Sequence, residues 1–459
     1  MVILKSIING KIIQNFDKEI CYEKYFLFKY SDKNVKIGEI SNLTLISDKI
    51  REEFKYTDME VFFLNLHSTI KKNFDKYCLL LSIETNISLK QSSEKIESIL
   101  EYIHFAKIKF NNEFIILKKR NIYLKKKGTV LISLSGSDPL EGLINSLLPA
   151  LFVGNKVFIK PSRKSSLLIY ELFVDLINFK EINYDFLNLL FISNDLFQEM
   201  LKKKYFDYVY WTGSSKSANE IHLKCVELGV EFYYDGPGMD FMYIDCSFSD
   251  WDLCLKIIMN SLTNLNGKNC NAIKYIFIDS SNYKFLVSKL NFFISKTEKL
   301  ISLETKNLNV IGPLEINIIE DLKLKINKIK SEDSISSFDD SQNYFSPKIY
   351  LNPKNLNEIL SYEFFGPILI IKEVQNFKEV IEYQNKSKFG LGFTLLSNNN
   401  EIDNLVKQLN VARINLNCDP LEISFFEPWG GVKNSGIGGP INWLEKFSNK
   451  LYIKNGFRN

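Results

Sequence analysis

Histidine is almost missing from this chain: His67, His104 and His222 are the only three in 459 residues. None stands beside a cysteine or at a ligand spacing, which argues against a histidine metal site and against a Ser-His triad. Cysteine is sparse as well. The seven, at 21, 78, 225, 246, 254, 270 and 418, are odd in number, scattered and never paired as CxxC. Neither a disulfide framework nor a thiolate zinc site is expected, and a reducing compartment is. No window approaches the roughly 18 uninterrupted apolar residues of a membrane-spanning helix, and the apolar run in MVILKSIINGK is too short for a secretory signal. A cytoplasmic protein without a membrane partner is therefore expected. A dominant charge is missing too: 58 Lys and Arg against 54 Asp and Glu leave +4, too weak a field to imply a nucleic-acid partner. Aromatic residues are abundant instead, 36 Phe and 22 Tyr, and their burial argues against a disordered chain. At about 100 to 200 residues per domain, the length predicts two or three domains. Chemistry must come from cysteine, carboxylates and a cofactor.

The positive signal is alternation. Asn9-Gly10 between two apolar runs predicts a tight hairpin, and residues 48–108 carry helical three- and four-residue spacing. From 128 to 234 short apolar strands alternate with amphipathic helices: strands 129–134, 156–159, 187–192, 208–211 and 231–234, with helices such as 143–152 and 167–178 between them. That repetition reads as a parallel, doubly wound sheet whose ligands sit at the carboxyl ends of the strands. After Gly236-Pro237-Gly238 a second unit follows, with strands 241–244, 274–278, 368–371 and 392–396. Helices are expected over 251–265, 284–295, 378–384 and 401–409, and a surface loop over the Ser- and Asp-rich 331–342.

Several turns carry chemistry. Ser135-Gly-Ser137-Asp-Pro139 joins a strand to a helix and offers backbone N–H groups to a phosphate or an oxyanion. Gly154-Asn-Lys-Val-Phe-Ile-Lys160-Pro-Ser162 ends a strand in a lysine placed to reach a ribose, although a solvated lysine fits the same pattern. Trp211-Thr-Gly-Ser214 opens a helix with groups suited to a pyrophosphate. Ser162 and Ser214 also suit helix caps. Cys270 lies in the small, polar turn Asn266-Gly-Lys-Asn269-Cys270, where an accessible thiolate stabilised by amide dipoles is expected. The other cysteines sit mostly in apolar patterns. Tyr362-Glu363-Phe-Phe365-Gly-Pro367 precedes a strand, and Pro428-Trp-Gly-Gly-Val-Lys-Asn-Ser-Gly436 crowds three glycines into a loop.

In this order the motifs GN-x-V-x-x-KPS, TGS, NG-x-x-C, E-x-F-G-P, N-x-N and GG-x-K-x-SG resemble those of the aldehyde dehydrogenase superfamily, over essentially the whole chain. The resemblance implies an α/β fold of two doubly wound Rossmann-like domains plus a small oligomerisation arm. On it, residues 1–236 form the dinucleotide-binding domain, with 112–127 part of a bridging arm. Residues 237–443 form the catalytic domain, and 444–459 an oligomerisation strand of a homodimer or homotetramer. It implies Cys270 as the nucleophile that takes an aldehyde to a thiohemiacetal and, after hydride transfer to NADP or NAD, to a thioester. Lys160 and Ser162 would hold the adenosine ribose, Ser214 the pyrophosphate, and Glu363 the nicotinamide ribose, with Phe365 packed beside it.

Three positions depart from the family pattern. Ser137 replaces the usual oxyanion asparagine, which leaves that duty to the backbone or to Asn269. Gly236 falls where the general-base glutamate belongs, with Asp235 beside it as the candidate replacement. Gly-Pro-Gly here resembles the CoA-acylating branch, whereas GG-x-K-x-SG and F-G-P are nearer the hydrolytic one. Both outcomes stay open, as does a catalytically impaired structural or regulatory homologue. Arg163-Lys164 replaces the glutamate many NAD-preferring relatives carry after KPS, so NADP is favoured over NAD, against the alternative of an exposed basic turn. Phe425, Phe426 and Trp429 fit either an apolar mouth or core, and the strand-like segments 114–124 and 450–454 fit the arm.

Overall fold

The computed structural model describes residues 2–21, 35–46, 49, 59–179, 184–399, 406–422, 424 and 426–454. Its first sheet begins where the Asn-Gly signal predicts. Asn9 and Gly10 adopt φ of 48° and 69°, and the turn they make joins Ile7–Ile8 to Lys11–Ile12 antiparallel. That hairpin edges an eight-stranded sheet. Across it, in spatial order, come Leu187–Leu189, Lys156–Lys160, Thr129–Ser133, Tyr208–Thr212, Glu231–Asp235 and finally Gly436–Ile437. The five strands from Leu187–Leu189 to Glu231–Asp235 run parallel.

Side chains on these strands alternate between two cores. Val130, Ile132, Val157 and Ile159 pack with Leu147 and Phe173 on one face. Leu131, Phe158 and Val209 pack with Phe197, Met200 and Ile221 on the other. Each strand is buried on both faces, which is why it reads as a continuous apolar run. The helices between them are punctuated as their sequences dictate. Asp138 caps Pro139–Phe152, with Pro139 in its first turn. Ser214 caps Ser215–Leu228, which Gly229 ends at φ 67°.

The second sheet orders Asp333–Ser336, Lys348–Leu351, Ile368–Val374, Ile273–Asp279, Asp240–Ile244, Gly392–Leu396 and Arg413–Leu416. All its pairings are parallel except that of Asp333–Ser336 with Lys348–Leu351. Here too alternation splits one strand between two cores: Phe241 and Tyr243 face one cluster, Met242 and Ile244 the other.

Three expectations need correction. The segment 331–342 is not all loop, because Asp333–Ser336 is an edge strand. Ile335 alone in it is a buried hydrophobic residue, so the sequence has no alternation to show. The segment 114–124 is mostly helix: Leu89–Lys119 runs 31 residues, and only Ile122–Lys126 is strand, pairing antiparallel with Ser448–Tyr452. Ile115 and Ile116, which suggested a strand, are both exposed on that helix. Nor does the span 237–443 belong wholly to the second unit. Val432–Lys433 pairs with Phe389–Gly390, but Gly436–Ile437 pairs with Glu231–Asp235, and Trp443 and Leu444 join the first core. The glycine-rich loop is thus a strap between the two sheets. The helix expected over 401–409 starts at 401–405, which, like Phe425, lie outside the described residues.

Buried Asn155 ties the arm to the first sheet. It accepts from the backbone N–H of Lys127 and Gly128 at 2.7 and 3.1 Å and donates to the carbonyls of Ala150 and Phe447 at 2.8 and 3.0 Å. Among the described residues no helix is long and apolar enough to cross a membrane.

Candidate active site

The carboxyl ends of the first sheet's parallel strands meet the amino ends of the second sheet's strands at a cleft of about 840 Å³. All ten residues singled out in the sequence line it: Ser137, Lys160, Ser162, Arg163, Ser214, Asp235, Glu363, Phe365, Asn269 and Cys270. They come from both sheets, from turns separated by up to 228 residues, because parallel strands present all their like ends on one side.

One half of the cleft has the chemistry of a dinucleotide site. Lys160 ends its strand 6.0 Å from the ring centroids of both Phe197 and Trp211, and burial, with the nearby Arg163, pulls its ammonium down to about 8. Ser162 is not a helix cap; that position belongs to Ser166, and the Ser162 hydroxyl instead accepts from Lys164 N–H at 3.3 Å. The turn at Gly136 lies so close that a Cβ there would stand 3.0 Å from Ser162 Oγ. Ser214 does cap its 14-residue helix, and Ser214 and Ser217 bring that helix's N-terminus to the cleft wall. Opposite, burial raises the Glu363 carboxyl and Lys325 opposes the shift, while Lys325 Nζ holds the Glu363 carbonyl at 2.7 Å. An ammonium, hydroxyls, a helix N-terminus and a facing carboxylate suit a ribose-pyrophosphate ligand.

The two cations beyond Ser162 are already paired. Arg163 binds Glu39 and Lys164 binds Glu315. Sequence reading missed both partners, which lie 124 and 151 residues away.

Cys270 follows a strained turn. Leu265, Asn266 and Gly267 have φ of 49°, 58° and 69°, and hydrogen bonds hold the turn in place. The Asn266 amide donates to the Asn86 carbonyl at 3.0 Å and accepts from Gly312 N–H at 2.6 Å. Lys274, 1% exposed, donates to the Gly267 and Gly366 carbonyls at 2.6 Å each, joining the nucleophile turn to the loop that carries Glu363. The chain at Gly238 presses on the Cys270 backbone, so that a Cβ there would collide with the Cys270 carbonyl oxygen. Cys270 itself is exposed to the cleft. The surrounding protein nonetheless desolvates it, and this burial pushes its thiol up to about 12. Asp240, Glu141 and Asp235 add to the shift, and the cysteine's own backbone N–H opposes it least of all. The resting group is a thiol, not the stabilised thiolate expected from the turn's composition.

The remaining positions are more constrained than their sequence suggests. Ser137 Oγ stands 3.2 Å from Ser135 Oγ, and the Asn269 amide donates to the Asn264 carbonyl at 3.3 Å. At Gly236 a Cβ would run into the Tyr234 ring, whose hydroxyl donates to the Gly213 carbonyl at 3.1 Å. A larger side chain there requires the Tyr234 side chain to move. Asp235 is buried, and its Oδ2 accepts from Tyr210 at 2.5 Å and from the fully buried Lys446 at 2.8 Å. Lys446 is 211 residues away and gave no signal in sequence.

A family model described as the aldehyde dehydrogenase family matches residues 54–455. The 1-pyrroline-5-carboxylate dehydrogenase of Staphylococcus haemolyticus is 26% identical over 356 residues, 71% of this chain. The match spans 66% of that protein's length, less than two thirds. The lactaldehyde dehydrogenase of Methanococcus maripaludis is 24% identical over 456 residues, 94% of this chain and 95% of its own. Among solved structures, the NADP-dependent glyceraldehyde-3-phosphate dehydrogenase from Bacillus halodurans, complexed with NADP, superposes with a TM-score of 0.84. It is 16% identical, and 98% of each chain is covered. Fold and cleft together are those of a doubly wound α/β protein with a cysteine facing a dinucleotide-type site. The chain belongs to the aldehyde dehydrogenase family.

The raised thiol has a direct consequence. Only the thiolate is alkylated, so reaction of Cys270 with iodoacetamide in the free protein is expected to accelerate about tenfold per pH unit from 7 to 10. Peptide mass spectrometry separates it from Cys246 and Cys418, the other thiols exposed among the described side chains. A rate that levels off below about pH 8.5 would contradict the desolvated site.

Proposed function

We propose that the chain is an NAD(P)-dependent oxidoreductase that converts an aldehyde to the carboxylic acid through a covalent adduct on Cys270. The observation that carries this reading is the meeting of Cys270, Lys160, Ser214 and Glu363 in one cleft. Cys270 Sγ adds to the aldehyde carbon as the thiol proton leaves. The Cys270 N–H, the Ser137 hydroxyl and the Asn269 amide are the donors at hand for the oxygen. Lys160 and Glu363 orient the two riboses, and Ser214 with its helix N-terminus holds the pyrophosphate. The bound dinucleotide supplies the acceptor for the hydride that leaves the carbon. Water then cleaves the thioester left on sulfur.

Acyl transfer to a thiol such as CoA is the second reading, favoured by the missing carboxylate at 236 and by the Tyr234 ring that fills its space. The ribbon of Ile122–Lys126 and Ser448–Tyr452 supports assembly as a homodimer or homotetramer, since Leu451, Tyr452 and Ile453 leave apolar surface exposed beside it. The six described cysteines are all free, which fits a reducing, cytoplasmic setting.

With a panel of aldehydes, the wild type is expected to form NAD(P)H in a single turnover, measured by fluorescence with and without CoA. Cys270→Ala forms none while still binding dinucleotide. Most of the activity surviving in that variant would contradict the covalent mechanism.

NADP is the favoured cofactor, with its phosphate taking Arg163 from Glu39. One charge-assisted pair contributes at most roughly 1.5 to 3 kcal/mol, or about ten- to hundredfold in affinity, less the cost of releasing Glu39. Titration is therefore expected to show tighter binding of NADP than of NAD, and Arg163→Glu to flatten or reverse the preference. A clear NAD preference in the wild type would refute the role of Arg163.

A further inference from the structure

Three carboxylates act electrostatically on the Cys270 sulfur, and their settings differ. Asp240 lies beneath the cleft, does not line it, and accepts from Gly392 N–H at 3.0 Å. Asp235 lines the cleft but is bound to Lys446 and Tyr210 through one oxygen, while the other is buried without a hydrogen-bond partner. Glu141, in the first turn of Pro139–Phe152, lines the cleft with its side chain 32% exposed, within reach of water there. Its position is set from two sides. Lys95 Nζ, from the long helix Leu89–Lys119, lies 3.2 Å from Glu141 Oε2 and 2.7 Å from Asp138 Oδ2. The two carboxyls stand within hydrogen-bond reach of each other. One ammonium thus serves two carboxylates, so one of them lacks a full countercharge.

We propose that Glu141, held by Lys95 and Asp138 in the cleft wall, is the base that takes the proton from the water attacking the Cys270 thioester. The water oxygen bonds to the acyl carbon, the carbon–sulfur bond breaks with its electron pair returning to Cys270, and the water proton passes to the Glu141 carboxylate. No oxidant enters this step. Burial, opposed by Lys95 and reinforced by Asp138, pushes the Glu141 carboxyl up from the ordinary carboxylate range. A carboxylate with raised proton affinity is the better base at neutral pH. The base is thereby relocated from position 236, where the Tyr234 ring stands, to the first turn of the helix that follows Thr129–Ser133. This inference rests on the proposed role of Cys270 but not on aldehyde oxidation, and the test separates the two.

p-Nitrophenyl acetate acylates a reactive cysteine with release of p-nitrophenolate, and the acetyl group leaves by the same hydrolytic step, with no dinucleotide or aldehyde present. The wild type is expected to release one equivalent in a burst that Cys270→Ala lacks. Its steady phase should rise with pH through an ionisation above the ordinary carboxylate range, because only the deprotonated carboxylate accepts the proton. In Glu141→Gln the burst persists, the steady phase falls about 10²- to 10⁴-fold, and the pH step disappears. Glu141→Asp recovers part of both. A Glu141→Gln steady phase within about twofold of wild type, with the pH step kept, overturns the proposal. So does equal loss of the burst in Glu141→Gln and Glu141→Asp, which would make Glu141 a shaping residue only.

Discussion

The buried ammonium of Lys274 is the interaction on which the cleft depends. It reaches two carbonyls, Gly267 before the nucleophile and Gly366 after Glu363, each at 2.6 Å. Those loops belong to different strand ends of the second sheet, and the ammonium fixes their separation. Desolvation pulls Lys274 down and pushes its electrostatic partner Asp240 up. Moving either carbonyl away would leave a buried charged donor unsatisfied, at a cost of about 1 to 3 kcal/mol or more. The geometry relating Cys270 to the ribose side is therefore held in place by the cost of breaking it.

The same dryness orders the rest of the cleft. Several charges at it are paired: Lys446 with Asp235, Lys95 with Asp138 and Glu141, Lys164 with Glu315. A thiol in this setting stays mostly protonated, so its proton must leave as the sulfur attacks. Close backbone approach is the second constraint. At Gly238 a side chain would strike the Cys270 carbonyl, and at Gly267 a Cβ would lie 2.7 Å from Gly366. Gly-Pro-Gly and Asn-Gly are thus conditions for bringing three loops together, whatever the acyl group's fate.

Much of this was legible in the sequence because it is local. The Asn9-Gly10 hairpin, the alternation of strands and helices and the turn that presents Cys270 each depend on neighbours a few residues apart. The ordered motifs brought ten residues to one cleft. What was not legible is long-range pairing of charge. Glu141 reads in sequence as an acidic residue in a helix's first turn, a stabilising position that needs no catalytic explanation, and only the fold sets it near Cys270. Arg163 reads as a free cation until Glu39 meets it, and Asp235 as a free carboxylate until Lys446 does. The helix through 114–119 was obscured by Ile115 and Ile116, apolar residues on an exposed face. The edge strand Asp333–Ser336 was obscured by polarity on both faces.

The central claim is that the chemistry passes through sulfur at position 270. Intact-protein and peptide mass spectrometry tests it most directly, on protein mixed with an aldehyde substrate and NADP and quenched in acid within the first turnover. The account predicts an increment equal to the acyl group on the peptide carrying Cys270, released by hydroxylamine as thioesters are. NAD(P)H formation with no adduct on Cys270, or with the adduct on another cysteine, would contradict it.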